Sequence, residues 1–269
     1  MIRLVAFDLD GTLMGDERVI RPSVRQAIAE AQAQGVIVTL ATGRMFSALL
    51  PFARQLQIRV PTLAYQGGWI QAPDASEPLY RVPLPREPAA HTLTLAQERG
   101  WHTVLYADGR IYLQELRESP EFYRALLGSD FQLVPDWETV LDAHQIDKVL
   151  FVAEPEDIPA MGVRLRECLD GRAHVFRSHA RFIEVVPLGV DKGRGLAWLA
   201  DYLGVEQDET LAVGDQENDV PMLAWAGVGV AMGNAVPAVQ AVADWVAPPL
   251  REDGAVRALE RFVLNATLL

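Results

Sequence analysis

At both ends of the chain, apolar runs that read as buried parallel strands alternate with amphipathic helices, and this alternation restricts the fold more than any other feature. Leu4-Val5-Ala6-Phe7 is the first such run. Ser23 to Gln34 follows as a helix, with Val24, Ala27, Ile28 and Ala31 at helical spacing, Pro22 before it and Gly35 as its stop. Val36 to Ala41 reads as a second buried strand, Met45 to Leu56 as a helix, and Thr62-Leu63-Ala64-Tyr65 as a third strand. Such a succession predicts a parallel sheet. The same pattern returns after Pro187. Gly193 to Leu203 carries Leu196, Leu199, Ala200 and Leu203 on one face and ends at Gly204. Strands are then expected at Thr210 to Val213, Val228 to Met232 and Trp245-Val246, and a closing helix at Gly254 to Phe262.

Between these halves the chain changes character. Proline recurs at positions 73, 78, 83, 85 and 88, and the strands Trp101 to Tyr106 and Arg110 to Leu113 are joined by Asp108-Gly109, a hairpin signal. Helices are expected at Pro88 to Arg99, Pro120 to Leu127 and Glu156 to Leu169. Further strands are expected at Lys148 to Ala153, Ala173 to Phe176 and Phe182 to Val186. Antiparallel pairing and interleaved helices define a self-contained α+β unit at 83–187, inserted into an α/β core formed by 1–82 and 188–269. A chain of 269 residues is long enough to bury two cores.

Composition narrows the partners. A net charge of −12 with no block of Lys or Arg argues against a nucleic-acid partner, whereas a small phosphorylated metabolite needs only local cations. No run approaches the roughly 20 apolar residues of a membrane helix, so no membrane partner is expected. One cysteine, Cys168, excludes an internal disulfide; with no export signal at the N-terminus, a cytoplasmic location is expected. Oligomeric state is not legible.

The polar residues that carry chemistry fall at the carboxyl ends of the expected core strands or at helix starts, where open α/β sheets place ligands. Asp8-Leu9-Asp10-Gly11-Thr12 follows the first strand, Thr42-Gly43-Arg44 the second, Lys192-Gly193 opens the helix after the insertion, and Gly214-Asp215 with Asn218-Asp219 follows a later strand. Each has a structural alternative: Asp-Gly and Thr-Gly serve ordinary turns, Lys192 can be a solvated charge, and Asn218-Asp219 can cap a helix. Two carboxylates one residue apart at a buried strand end nevertheless call for a cation. Phosphoryl transfer uses this pairing, with one Asp as nucleophile, the other as proton donor and acceptor, and Mg²⁺ between them.

These four segments resemble, in order, the four motifs of the haloacid dehalogenase superfamily of phosphatases. The large insertion after Arg44 is similar to the type-two cap of that superfamily's Cof-like branch. Phe182 to Pro187 leading to Asp191-Lys192-Gly193 resembles that branch's return from cap to core. Ala231-Met232-Gly233-Asn234-Ala235 and Glu252-Asp253-Gly254 resemble its closing segments. The resemblance implies a Rossmann-like three-layer core with a parallel sheet, an inserted cap that sets substrate specificity, and Mg²⁺-dependent hydrolysis of a small organic phosphomonoester, such as a sugar phosphate or a phosphorylated cofactor, through an aspartyl-phosphate. It implies Asp8 as nucleophile and Asp10 as acid and base. Thr42, Gly43 and Lys192 would hold the phosphoryl group, with Gly11, Arg44 and Asn218 in phosphate or substrate binding. Asp8, Asp10 through its carbonyl, and Asp215 would hold the metal, with Asp219 or Asn218 in its outer shell or supporting Lys192.

Two positions depart from the pattern. Gln66-Gly67-Gly68 stands where the branch usually has Asn-Gly, and Gln216 where a small hydroxyl residue is frequent. Histidines 91, 102, 144, 174 and 179 show no paired metal spacing, although His179 and Arg181 precede the strand that returns to the core. Two rivals stand beside hydrolysis. One is mutase-type phosphoryl transfer to an alcohol; the other is a binding module for a phosphorylated metabolite, against which the proton shuttle at Asp10 argues.

Overall fold

The computed structural model describes residues 1–117, 119–127 and 130–265. The chain divides into two compact units, one formed by Met1–Gly43, Leu49–Tyr80 and Asp191–Leu269, the other by Arg44–Ala48 and Arg81–Val190.

In the first unit, five described strands form a parallel sheet in the order Trp245–Val246, Val228–Ala231, Thr210–Gly214, Leu4–Phe7, Ile37–Leu40. The two middle strands are buried throughout, as their uninterrupted apolar sequences require. Phe7 pairs beside Val213, so the chain leaves the sheet at Asp8 and at Gly214-Asp215 side by side. Leu4 and Ala6 share a core with Leu196, Leu199 and Ala200 of the helix Lys192–Leu203. That helix starts at Asp191, whose carboxylate accepts from the Arg194 N–H at 2.8 Å, and stops at the left-handed Gly204. The expected α/β, Rossmann-like core is the one observed.

The third expected strand is placed differently. Thr62–Ala64 meets the parallel sheet through one described bridge, Ala41 to Leu63, and otherwise pairs antiparallel with Trp69–Gln71. Tyr65, Gln66 and Gly67 take positive φ in succession, at 48°, 62° and 90°, and turn the chain back on itself there. So short a run carries no mark of strand direction, and Tyr65, expected as its last residue, already lies in the turn.

The second unit is α+β. Its sheet runs in the order Ala173–His179, Phe182–Pro187, Ile146–Val152, His102–Ala107, Arg110–Leu113, Gln132–Leu133, antiparallel except for the last pair. The Asp108-Gly109 turn has φ of 46° and 67°, the left-handed pair that a two-residue hairpin demands. Asp147 accepts from the Gly109 N–H at 2.9 Å, and Arg81 donates to both Asp147 and Asp108, at 2.6 and 2.9 Å. The helix Trp137–Ala143 was not foreseen; at seven residues it is too short to display periodicity, and it starts at Asp136, which accepts from the Thr139 N–H. The side chain of His179 lies outside the described residues.

Strand alternation sorts this sheet into two faces. Leu105, Val149, Phe151, Ile183 and Val185 join the core with Leu93 and Leu165, while Tyr106, Lys148 and Glu184 occupy the opposite positions. Lys148 Nζ donates to Glu184 Oε2 at 2.9 Å with both side chains 3% exposed, and Ser178 donates to Glu184 Oε1. Residues 44–48, expected with 1–82, group with this unit instead, and the Arg44 charge acts on the buried Tyr106 hydroxyl.

His102 gives this unit a pH dependence. The Tyr123 hydroxyl accepts from the Arg117 N–H at 2.9 Å and lies 2.8 Å from His102 Nε2, a hydrogen bond that it can donate to a neutral imidazole. Burial first, and then the Arg117 charge, push the imidazole down to about 4 from its ordinary 6.5. Between those two values the unfolded chain binds the extra proton and the folded chain does not, so this stabilisation is present above pH 6.5 and is lost as pH falls toward 4. Urea unfolding across pH 4 to 7.5 is expected to show wild type losing more stability on acidification than His102→Phe; parallel curves refute this.

Candidate active site

Asp8 and Asp215 leave adjacent parallel strands, and Lys192 enters between them from the start of its helix. Lys192 is fully buried. Its Nζ donates to Asp8 Oδ1 at 2.6 Å and to Asp219 Oδ1 at 2.5 Å. Asp219 is also fully buried, and its second oxygen accepts from the N–H groups of Asp215 and Gln216, both at 2.9 Å. Asp219 therefore grips the Asp215 loop with one oxygen and Lys192 with the other. Asp215 Oδ1 accepts from the Thr12 hydroxyl at 2.9 Å and Oδ2 from the Gln216 amide at 3.1 Å.

Three buried carboxylates thus face one ammonium. The Asp8 carboxyl is pushed well above the usual carboxylate range by burial; Lys192 opposes this, and Asp219, Asp215 and Asp10 reinforce it. Asp215 is pushed up to about 7, first by burial and then by the Asp219 charge. Burial alone would lower Lys192, but the Asp219 and Asp8 carboxylates overcome it and hold the ammonium above the ordinary lysine range. The net excess is negative. Asp8, Asp215 and Asp219 each offer an oxygen within 4.8 Å of the others, a hard all-oxygen donor set of the kind Mg²⁺ takes. Both oxygens of Asp219 and both of Asp215 accept hydrogen bonds, so hydrogen bonding alone does not rank the two as ligands.

Asp10 is exposed, one residue beyond the fully buried Leu9, yet near enough to Asp8 for its charge to act there. Gly11 has φ of 89°, and a Cβ at this position would stand 2.2 Å from Asp215 Oδ2, so only glycine lets the loop close on that carboxylate. Asn234 donates to the Gly11 carbonyl at 2.9 Å and accepts from the Leu250 N–H, which ties one of the closing segments to the first loop. Thr42 is buried; its N–H donates to the Leu63 carbonyl and its own carbonyl accepts from Gln66. Asn218 donates to Gln66 Oε1 at 2.9 Å.

Of the residues singled out from sequence, Asp8, Lys192, Asp215 and Asp219 form one connected cluster, with Gly11 against it. Thr42, Gly43, Gln66 and Asn218 form a second connected set. Arg44 belongs to the other unit. Two contributors went unassigned in sequence, Thr12 and Gln216, which hold Asp215 from opposite sides; both flank motif carboxylates, the signal that could have found them.

Known proteins identify the family of this chain. A family model for haloacid dehalogenase-like hydrolases matches residues 5–259, and the chain belongs to that family. It is an enzyme of the phosphatase class within it. An HMP-PP phosphatase of Serratia proteamaculans is 32% identical over 249 residues, covering 90% of this chain and 88% of that protein. A 5-amino-6-(5-phospho-D-ribitylamino)uracil phosphatase of Bacillus subtilis is 29% identical over 270 residues, covering 96% and 97%. The crystal structure of a haloacid dehalogenase-like hydrolase from Bacteroides thetaiotaomicron matches with a TM-score of 0.84 at 31% identity, over 97% of this chain and 99% of that one. Among the described residues no helix is long and apolar enough to cross a membrane.

Replacing Lys192 by Met leaves three buried carboxylates without their ammonium. Removing one partner of a buried ion pair costs about 3–5 kcal/mol, and a loss of that size is expected in urea unfolding at neutral pH with chelator present. A loss below about 1 kcal/mol would mean that water already reaches the cluster.

Proposed function

We propose that the protein is a Mg²⁺-dependent hydrolase of small organic phosphomonoesters acting through an aspartyl-phosphate on Asp8, with residues 83–187 as its cap and specificity domain. The observation that carries this reading is the placement of Lys192 Nζ against both Asp8 and Asp219, beside a surplus of buried carboxylates. A carboxylate approaching a phosphate dianion meets a repulsion of about 4 kcal/mol per unit-charge pair at 4 Å in a partly shielded site. Lys192 offsets one such charge. Asp8, the Asp10 carbonyl and Asp215 would hold Mg²⁺, which would supply further charge neutralisation at the phosphoryl oxygens when bound.

In the first step an Asp8 oxygen forms a bond to phosphorus as the bond to the alcohol oxygen breaks, and the Asp10 carboxyl gives its proton to the departing alkoxide. Water then attacks phosphorus, its proton returns to the Asp10 carboxylate, and the Asp8–phosphorus bond breaks to release orthophosphate. Asp10 suits this role because its exposed position keeps it in exchange with solvent protons, while Asp8 is locked against Lys192. Thr42 and the Gly43 N–H hold phosphoryl oxygens at a strand end, where a glycine lets the backbone approach.

The purified protein is expected to release phosphate from p-nitrophenyl phosphate with Mg²⁺ and to lose that activity with EDTA. Asp8→Asn is expected to reduce kcat by at least about a thousandfold, as loss of a covalent nucleophile does. Phosphate released without any added alcohol separates hydrolysis from mutase-type transfer. Turnover that survives Asp8→Asn, or ligand binding with no turnover across a panel of phosphate esters, would reject the mechanism.

A further inference from the structure

Gln216 stands where a small hydroxyl residue is frequent, and its length lets it touch something that such a residue does not reach as far to meet. Asp219 pins its main chain on both sides: the Gln216 N–H donates to Asp219 Oδ2 at 2.9 Å, and the Gln216 carbonyl accepts from the Asp219 N–H at 2.8 Å. From this fixed start the side chain folds back over its own neighbour, and Nε2 donates to Asp215 Oδ2 at 3.1 Å. The direction of the amide is set by its partner, because its oxygen would repel a carboxylate. Gln216 is therefore a rigid arm, anchored by one acidic residue and aimed at another.

Asp215 is thereby held from two directions. Its Oδ1 accepts from the fully buried Thr12 hydroxyl at 2.9 Å, and its main-chain carbonyl accepts from the Val236 N–H at 3.0 Å. Gly11 closes a further side, since a Cβ there would stand 2.2 Å from Oδ2. A carboxylate tethered at both oxygens cannot turn about its last bond without breaking a tether. It keeps room for a cation all the same, because an ionised carboxylate has about four acceptor positions and the two donors fill two of them. Divalent ions differ in what they gain from such fixity. Mg²⁺ demands near-ideal octahedral geometry at about 2.0–2.1 Å, whereas Ca²⁺ takes about six to eight oxygens at longer and more variable distances. A carboxylate locked in direction favours the ion with the stricter directional demand.

We propose that Gln216 is a positioning residue that, together with Thr12, locks the direction of the Asp215 carboxylate and so raises both the affinity of the site for Mg²⁺ and its preference for Mg²⁺ over Ca²⁺. This rests on the Mg²⁺-dependent reading above and goes beyond it by naming the side chain that sets metal affinity and selectivity. The amide acts through Asp215: the atom it turns toward the cluster is a donor, which cannot ligate a cation. Hydrogen-bond partners behind a metal ligand commonly change metal affinity by about 10–100-fold when removed, which makes a single neutral contact worth testing.

The test is calorimetric titration of the full chain, stripped of metal and without substrate, with Mg²⁺ alone and with Ca²⁺ alone. Gln216→Met keeps the length of the side chain and removes the donor. It is expected to weaken Mg²⁺ binding at least about tenfold. Ca²⁺ binding is expected to weaken by less than about threefold, so that the ratio of the two dissociation constants moves toward Ca²⁺. A general loosening of the loop would weaken both ions alike, and equal losses therefore overturn the proposal. Mg²⁺ binding within about twofold of wild type overturns it as well. Should Gln216→Met fail to fold, Gln216→Ala decides by the same two constants. Wild type that binds Mg²⁺ beside variants with unchanged constants removes the role of Gln216 and leaves the Mg²⁺ reading standing; wild type that takes up neither ion removes both.

Discussion

A fully buried ammonium organises this protein. Lys192 cannot remain charged inside the first unit without partners, and Asp8 and Asp219 supply them at 2.6 and 2.5 Å. Satisfying Lys192 in this way commits the rest of the cluster. Asp219 is held in place by two backbone N–H groups of the Asp215 loop, so the ammonium, Asp8 and the Asp215 loop are connected by a few short bonds. Burial above all, reinforced by the neighbouring carboxylates, raises the carboxyls of Asp8 and Asp215. An acidic cluster of this kind is compatible with a divalent cation.

Parallel pairing makes such a cluster possible for residues so distant in the chain. Leu4–Phe7 and Thr210–Gly214 are neighbours in the sheet, in a register that releases Asp8 and Asp215 at the same level. Connections in a parallel sheet need long crossovers, and one of them tolerates an entire inserted unit because both of its ends return to the sheet domain. The inserted unit carries its own buried ion pair, Lys148 with Glu184, on the face of its sheet opposite its apolar core, a polar feature that packing alone does not explain.

The turn at 65–67 links the fold to chemistry in a second way. Three consecutive positive φ values follow the third strand, which keeps its parallel bridge to Ala41, and turn the chain back into an antiparallel pair. The same turn places the Gln66 amide on Gly43 and joins it to Asn218. Backbone strain of this kind costs of order 1–3 kcal/mol for each non-glycine residue, and here it accompanies an unsatisfied polar pair, Gln66 Nε2 and Asn218 Oδ1.

Local patterns in the sequence were enough to determine the parallel core, the separate antiparallel insertion, the Asp108-Gly109 hairpin and the helix stops at Gly35 and Gly204. Each follows from periodicity or from a turn residue acting on its immediate neighbours. Asp8, Lys192 and Asp215 were legible for a related reason, since polar residues ending apolar strands stand out against them. Tertiary structure alone decided which carboxylate oxygens hold Lys192, that Thr12 and Gln216 brace Asp215, that residues 44–48 join the other unit, and that the chain turns back on itself after Thr62–Ala64. These outcomes depend on contacts between residues up to about two hundred positions apart. Side-chain periodicity describes a residue's own element; it says nothing about the atoms that a distant element brings to meet it.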